Sequence, residues 1–449
     1  MPPAHVFIGR FVLQVPLSII LVGAGAVVAA SFGLIYLLPP RPEKPDGRGA
    51  IVPRPGVMAL QAIGLVYLVF ISAVGIFGRQ GSAALNGAVI LFWIVTIPVL
   101  PLVHCLVGGM YEVASPFALL ARLATAGGSA RKRPSPHLER LGYWPAVILM
   151  FLLIWFELAL RVVPNTPAVL GLLAIGYTVF QVAMGARLGE EWFRRGDVFH
   201  AITSLASTIA PLTIARDGEG FVRVTAGFRP ARFLPGGRGR EALITMWLAG
   251  VLADGVRVTP IWTFVTTNTQ DLATSGALGG TATSGTVYIG SVVLDTAEIL
   301  FTWAAFGAFF WLFSYLAATL SHRDVRDVAS VVSPSLIPIA LAYLFAHNLT
   351  QLVVLAPIMV TGANASLSQI ARQIQANINQ VSPPVVFTVQ VLAIVLGHVL
   401  AVVMAHARLS RLVKDGSLAI RGDLGWLAAM LIYTATSLWI LAQPITNQG

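Results

Sequence analysis

Charge is scarce in this chain. Asp, Glu, Lys and Arg make up 11% of its 449 residues, against roughly a quarter in soluble domains. An ordinary water-soluble fold is excluded, because its core does not need so much apolar sequence. Cysteine is nearly absent. Cys105 stands alone, which excludes an intramolecular disulfide and thiolate-rich zinc, iron–sulfur or copper sites. It reads as a small buried hydrophobe. No G-x-S-x-G elbow, Walker loop or H-E-x-x-H occurs. GAGAVV at 23–28 carries the glycines of a dinucleotide fingerprint, but inside an apolar run with no strand before it.

What the chain has is apolar sequence. Hydrophobic residues make up 56%. Runs of about 20 residues, long enough to cross a bilayer, recur along its length. The expected fold is an all-α integral membrane protein, one polytopic domain over 1–449. Ten spans are expected, at roughly 15–38, 57–77, 84–107, 142–163, 167–187, 241–253, 285–320, 331–357, 385–407 and 424–443. The first reads as retained, because the N-terminus lacks a basic n-region and its apolar run is long for a signal peptide. Cleavage would leave nine.

The net charge of +10 does not point to nucleic acid, because the basic residues sort by connection and no aromatics interleave with them. The first, third, fifth, seventh and ninth connections hold 4, 5, 9, 2 and 4 Lys or Arg. The even ones hold one each: Arg79, Arg161, Arg257 and Arg372. This is the positive-inside pattern. It places the odd connections in the cytoplasm and both termini outside, with attraction to anionic lipid headgroups.

The loops carry expectations of their own. The basic cytoplasmic loop 108–141 holds an interfacial helix at 115–128, with Ser115 as cap and Pro116 at its first position. The long cytoplasmic loop 188–240 holds a second amphipathic interfacial helix at 189–212. A small hairpin over 218–240 follows it. The external loop 254–284 is rich in Thr, Ser and Gly, and reads as a solvated connection or a lid.

Polar residues inside the spans carry the functional question, because ionisable groups there are costly and functional by default. Glu157 lies in the fourth span. Asp254 ends a short sixth span. Asp295 and Glu298 lie one turn apart on one face of the seventh. His347 and Asn348 lie in the eighth and His398 in the ninth. The expected topology puts these ionisable groups in the middle-to-outer zone. Two imidazoles and four carboxylates form a hard-to-borderline ligand set. His347, His398, Asp295 and Glu298 are the expected ligands of a divalent metal, of zinc or manganese type. Asp254 is ligand or general base, and Asn348 orients a neighbour. Plainer readings stand beside these. A lone intramembrane His often bridges helices, and Glu157 is spaced to pair with Arg161. No Lys or Arg falls deep in an expected span, so the site suits a cation, a proton or a neutral lipophilic molecule.

LGYWPAVILMFLLIWFEL (141–158), EEWFRRGDVFHAITSLASTIAPL (190–212), LADG (252–255) and AHNLT (346–350) resemble signatures of a bacterial family of polytopic membrane proteins. Many of its members carry the label fenitrothion hydrolase. The resemblance is patchy and runs over roughly 100–440. Where similar chains have Asn-Pro-aromatic after the third span, this one reads Ser115-Pro116-Phe117. The resemblance implies hydrolysis of a neutral organophosphorus triester to a nitrophenol, in the bacterial inner membrane. It also implies a related membrane subunit as partner. In that reading a metal-activated water works with Asp254, Glu157 and Asn348. A proton- or cation-coupled transporter uses the same acids. The interrupted sixth span and Pro98, Pro101, Pro334 and Pro338 favour it, and the want of an inverted repeat counts against it. A non-catalytic subunit of a membrane complex is the third reading.

Overall fold

The computed structural model describes residues 16–35, 49–81, 83, 86–125, 136–160, 166–216, 221–227, 236–274, 284–361 and 366–446. Helix dominates it. In chain order the helices are α1 Leu17–Ile35, α2 Arg54–Phe77, α3 Gly87–His104, α4 Met110–Ala114, α5 Pro116–Ala124 and α6 Pro136–Leu141. Then come α7 Trp144–Leu158, α8 Pro167–Leu188, α9 Glu191–Gly196, α10 Val198–Ser207, α11 Arg240–Val256 and α12 Pro260–Thr274. The last are α13 Ser284–Ser321, α14 Val325–Val332, α15 Ile337–Thr361, α16 Leu367–Gln380, α17 Pro383–Leu412 and α18 Gly416–Thr446.

Among the described residues eight helical segments are long and apolar enough to cross a membrane, with α14 and α15 counted as one. A ninth arises if α11 and α12, bent by 73° at their junction, count as one span. The expected fourth span shrinks to the 15 residues of α7, roughly 22 Å at the α-helical rise. That is short of a hydrocarbon core of about 30 Å. At the other extreme α13 has 38 residues and reaches well beyond such a core. The third span contains a π-helical stretch, Phe92–Val99, with Pro98 inside it. A proline has no N–H to donate and crowds the preceding turn. A wider π turn relieves both problems.

The connections sort to two ends. A four-stranded sheet of order β1-β4-β3-β2 joins β1 (Ala50–Ile51), β2 (Val107–Gly108), β3 (Leu212–Arg216) and β4 (Val222–Ala226). These strands come from the first, third and fifth connections. Arg240 then donates to the Ser330 carbonyl at 2.6 Å and to its hydroxyl at 2.8 Å, which links the fifth to the seventh. Gly422 lies against Ser321, which links the seventh to the ninth. The even connections meet at the opposite end. The Ala168 amide donates to Gln80 Oε1 at 3.1 Å. Arg257 Nη1 donates to the Leu158 carbonyl at 2.7 Å. The capped amphipathic helix α16 lays Ile374 and Ile378 near Ile90, Ile94 and Val354. The end that gathers the basic connections is therefore a geometric unit as well as a compositional one.

Small residues set how closely the helices approach. A Cβ on Gly75 would stand 2.9 Å from the Gly171 Cα, so α2 and α8 cross with their backbones in contact. A Cβ on Gly397 would strike Ala342 and come within 2.9 Å of the Pro338 carbonyl. That brings α17 against α15 at the level of His398.

Three loop expectations are corrected. Residues 189–212 are not one interfacial helix. Asp197 splits them, accepting from the Phe199 amide at 3.1 Å as the cap of α10. Eight of the ten residues of α10 are buried. The Tyr177 and Tyr111 hydroxyls donate to Asp197 at 2.8 and 3.1 Å, so the segment is pinned inside the bundle. The hairpin draws its first strand from 212–216, just after Pro211, rather than from beyond 218. The external 254–284 segment is helical as far as Thr274. Thr259 and Pro260 begin that helix as cap and first residue, the Trp262 amide donating to the Thr259 hydroxyl at 3.4 Å. The Ser115 cap is present as expected, accepting from the Ala118 amide at 3.3 Å.

Asp197 and His200, outside the spans, make stability depend on pH in opposite directions. Burial pushes the Asp197 carboxyl up from 3.8 to about 6, against the pull of the two tyrosine hydroxyls. Burial pushes His200 down from 6.5 to about 4. Between pH 3.8 and 6 the folded chain holds a proton on Asp197 that the unfolded chain has released, so stability falls as pH rises. Between pH 4 and 6.5 the unfolded chain protonates His200 while the folded chain does not, so stability rises with pH. Relative to wild type, Asp197→Asn is expected to melt several degrees higher as pH rises through 4–6.5. His200→Gln is expected to do the reverse. Thermal unfolding in detergent reads both, and parallel profiles for the two variants would contradict the assignment.

Candidate functional site

The site forms where α11 ends. Asp254 and Arg257 lie one turn apart near its C-terminus, and α12 departs at 73° immediately after. His347 on α15 meets Asp254 with Nε2 and Oδ2 2.6 Å apart. Both side chains keep slight exposure, 16% and 12%. The Tyr343 ring, one turn back on α15, stacks on the His347 imidazole with centroids 6.1 Å apart and planes 11° apart. The Gln390 amide reaches across from α17 to the Ala346 carbonyl at 2.7 Å and fixes α15 beside the pair. Gly255 makes room for Tyr343. A methyl there would run into the Tyr343 hydroxyl and come within 2.7 Å of Ile440. Gly255→Ala is therefore expected to destabilise the protein by about 1–3 kcal/mol, the usual cost of overpacking. An unchanged melting temperature would show that the contact is slack.

The second half of the site centres on Arg257. Its Nη2 lies 3.1 Å from Glu298 Oε2 and 3.5 Å from Asp295 Oδ1, both on α13. The exposures are 11%, 4% and 2%. Nη1 donates to the Leu158 carbonyl, next to Glu157. The guanidinium also lies over the Trp262 ring, 5.9 Å from its centroid. The Thr302 hydroxyl donates to Glu298 at 3.3 Å. The Trp155 indole donates to Thr296 at 2.8 Å and holds α7 against α13 at this level.

The structure thus gathers Asp254, His347, Asp295 and Glu298, but as two neighbouring groups, Asp254 with His347 and the two acids of α13 with Arg257. The expected metal ligands His347, His398, Asp295 and Glu298 fall in different surroundings. Among the described residues no three His, Cys, Asp or Glu side chains are placed to hold a metal. Two of the four expected ligands face Arg257. It lies just past the end of α11, and its guanidinium reaches the two carboxylates that the metal would need. The expectation that no fixed cation enters the site is corrected by the same residue. His398 lies apart, buried on α17, its Nδ1 2.8 Å from the Ile394 carbonyl of its own helix. Asn348 also turns back, donating to the Leu344 carbonyl at 2.9 Å, so it does not orient His347. Glu157 is half-buried, and its expected partner Arg161 lies outside the described residues.

Sequence reasoning missed Arg257, Tyr343 and Gly255. The signal was helical spacing. Arg257 follows Asp254 by three residues and Tyr343 precedes His347 by four, the separations at which side chains share a helix face. Chemically, the site offers an imidazole that a partner carboxylate orients. Beside it stands an arginine engaged by two carboxyl groups. No protein-family model, curated protein or solved structure matches the chain.

Proposed function

We propose that this chain is a membrane-embedded hydrolase of neutral, lipophilic organophosphorus triesters of the fenitrothion type. His347 acts as general base and Asp254 holds its ring. The observation that carries the reading is the 2.6 Å His347–Asp254 contact at the break of a span. The sequence resemblance supplies the substrate class. A carboxylate bound to one imidazole nitrogen sets the tautomer and steadies the imidazolium that forms when the other nitrogen takes a proton. In the step proposed, His347 takes a proton from water. The water oxygen bonds to phosphorus, and the bond from phosphorus to the aryl oxygen breaks. The nitrophenolate leaves with the electron pair and needs no acid to assist it. The step is written with the chain's own residues alone, since Asp295 and Glu298 are engaged by Arg257. A neutral substrate entering from the bilayer needs no cationic clamp, which agrees with Arg257 being engaged by two carboxylates. The bacterial inner membrane is its proposed location, and a related membrane subunit its proposed partner.

The test is nitrophenol release from fenitrothion by the purified chain, alone and with such a subunit, with and without chelator. Release that survives the chelator supports the reading. Release abolished by it restores a metal, and no release under any condition removes the hydrolase. A second reading, proton-coupled transport, is favoured by one observation: the 73° break between α11 and α12 directly after Asp254. Broken helices beside intramembrane acids are a recurrent transporter device. Substrate-dependent proton flux in proteoliposomes, without product, would decide for it.

A further inference from the structure

A small cavity of about 20 Å³ lies between α11, α13, α15 and α18, lined by Leu252, Phe306, Tyr343, Tyr433, Thr436 and Ser437 among others. Tyr343 and Tyr433 are 3% and 8% exposed. Their hydroxyls are buried, and neither has a hydrogen-bond partner among the described residues. A buried, unbonded hydroxyl is costly, and native structures seldom tolerate one. Here the two tyrosines line one cavity. Neither can easily swing away. Tyr433 is stacked on Phe306, with centroids 4.9 Å apart and planes 12° apart, and it also packs on Phe309 at 4.6 Å. Tyr343 is held between the His347 ring and Gly255.

The space is too small for an organic ligand and sufficient for water. A buried water needs roughly 10–15 Å³ and two to four polar partners. The two buried tyrosine hydroxyls are its first partners, and buried Ser437 and exposed Thr436 also line the cavity. We infer that this cavity is a water site, bound by the Tyr343 and Tyr433 hydroxyls and set one tyrosine away from the Asp254–His347 pair. It gives that pair a proton-carrying neighbour on the bundle side. The inference holds whether the pair serves hydrolysis or proton coupling.

The experiment is hydroxyl-radical labelling by X-ray radiolysis of the full chain in detergent, read by mass spectrometry. Radicals formed from a bound water modify the side chains that touch it. Tyr343 and Tyr433 are expected to label despite their burial. Trp192 should stay unlabelled, because it is equally buried and its indole is bonded to Gln181. In Tyr433→Phe the labelling of Tyr343 should fall several-fold and the melting temperature should drop, since the water loses a partner. A dry cavity predicts the reverse. The tyrosines would stay unlabelled in the wild type, and Tyr433→Phe would melt at or above the wild-type temperature because a stranded hydroxyl has been removed. That result overturns the inference.

Discussion

Nitrophenol release is expected to fall about 10²–10⁴-fold when His347 becomes Gln, the range for loss of the proposed general base. Asp254→Asn falls by a similar factor, because an amide cannot hold the imidazole in the same tautomer or steady its positive form. KM changes little in either, since neither group is proposed to bind the ground-state triester. The double variant is the sharper measurement. If the 2.6 Å pair works as a unit, the double variant loses no more than the worse single one. Independent, multiplying losses would mean that the two residues act separately. Wild-type rates in His347→Gln, with the protein still monodisperse in detergent, would remove the pair from the chemistry.

Arg257→Met is expected to cost about 3–5 kcal/mol of stability, the range for breaking a buried ion pair from one side. The exposures of 11%, 4% and 2% for Arg257, Glu298 and Asp295 place this group in the buried class. It is not a screened surface bridge. Loss of the guanidinium also strips the Leu158 carbonyl of its donor. Arg257→Lys should fall between, because a point charge replaces a planar fork that serves three acceptors at once. Removing the charges together reverses much of the loss. Arg257→Met with Asp295→Asn and Glu298→Gln is expected to melt well above Arg257→Met alone, since buried charge without its partner is the main penalty. Thermal unfolding in nanodiscs reads the series. An Arg257→Met protein as stable as wild type would mean that the carboxylates do not depend on this arginine.

Much of the membrane architecture was legible because it is written locally. An apolar run is a property of adjacent residues, and α1, α2, α8, α17 and α18 fall close to their expected positions. The sorting of Lys and Arg among the connections is also local. The sheet and the Arg240–Ser330 contact show that the basic connections converge on one end. Less legible were elements whose fate depends on burial. The segment around Asp197 has the composition of a surface helix. It lies buried because Tyr111 and Tyr177, distant in sequence, supply donors to the Asp197 carboxylate. The α7 span ends early, and no apolar count foretold it.

The site divides in the same way. Its ionisable members stand out in the sequence because charge in an apolar run is costly wherever the run goes. Asp254, His347, Asp295 and Glu298 were each identifiable without knowing their neighbours. Their pairing was not, because that depends on the rotation and depth of four helices. Contacts such as Gly397 on Pro338, Gly255 under Tyr343 and Gln390 on Ala346 set these. Tertiary structure therefore arranged the candidate residues as an Asp–His pair beside an arginine with two carboxylates. It did so by bringing Arg257, outside every expected span, within reach of the acids on α13. Sequence by itself determined that this is a helical membrane protein with polar groups in its spans. Only the packing of the helices decided which of those groups share a proton and which share an arginine.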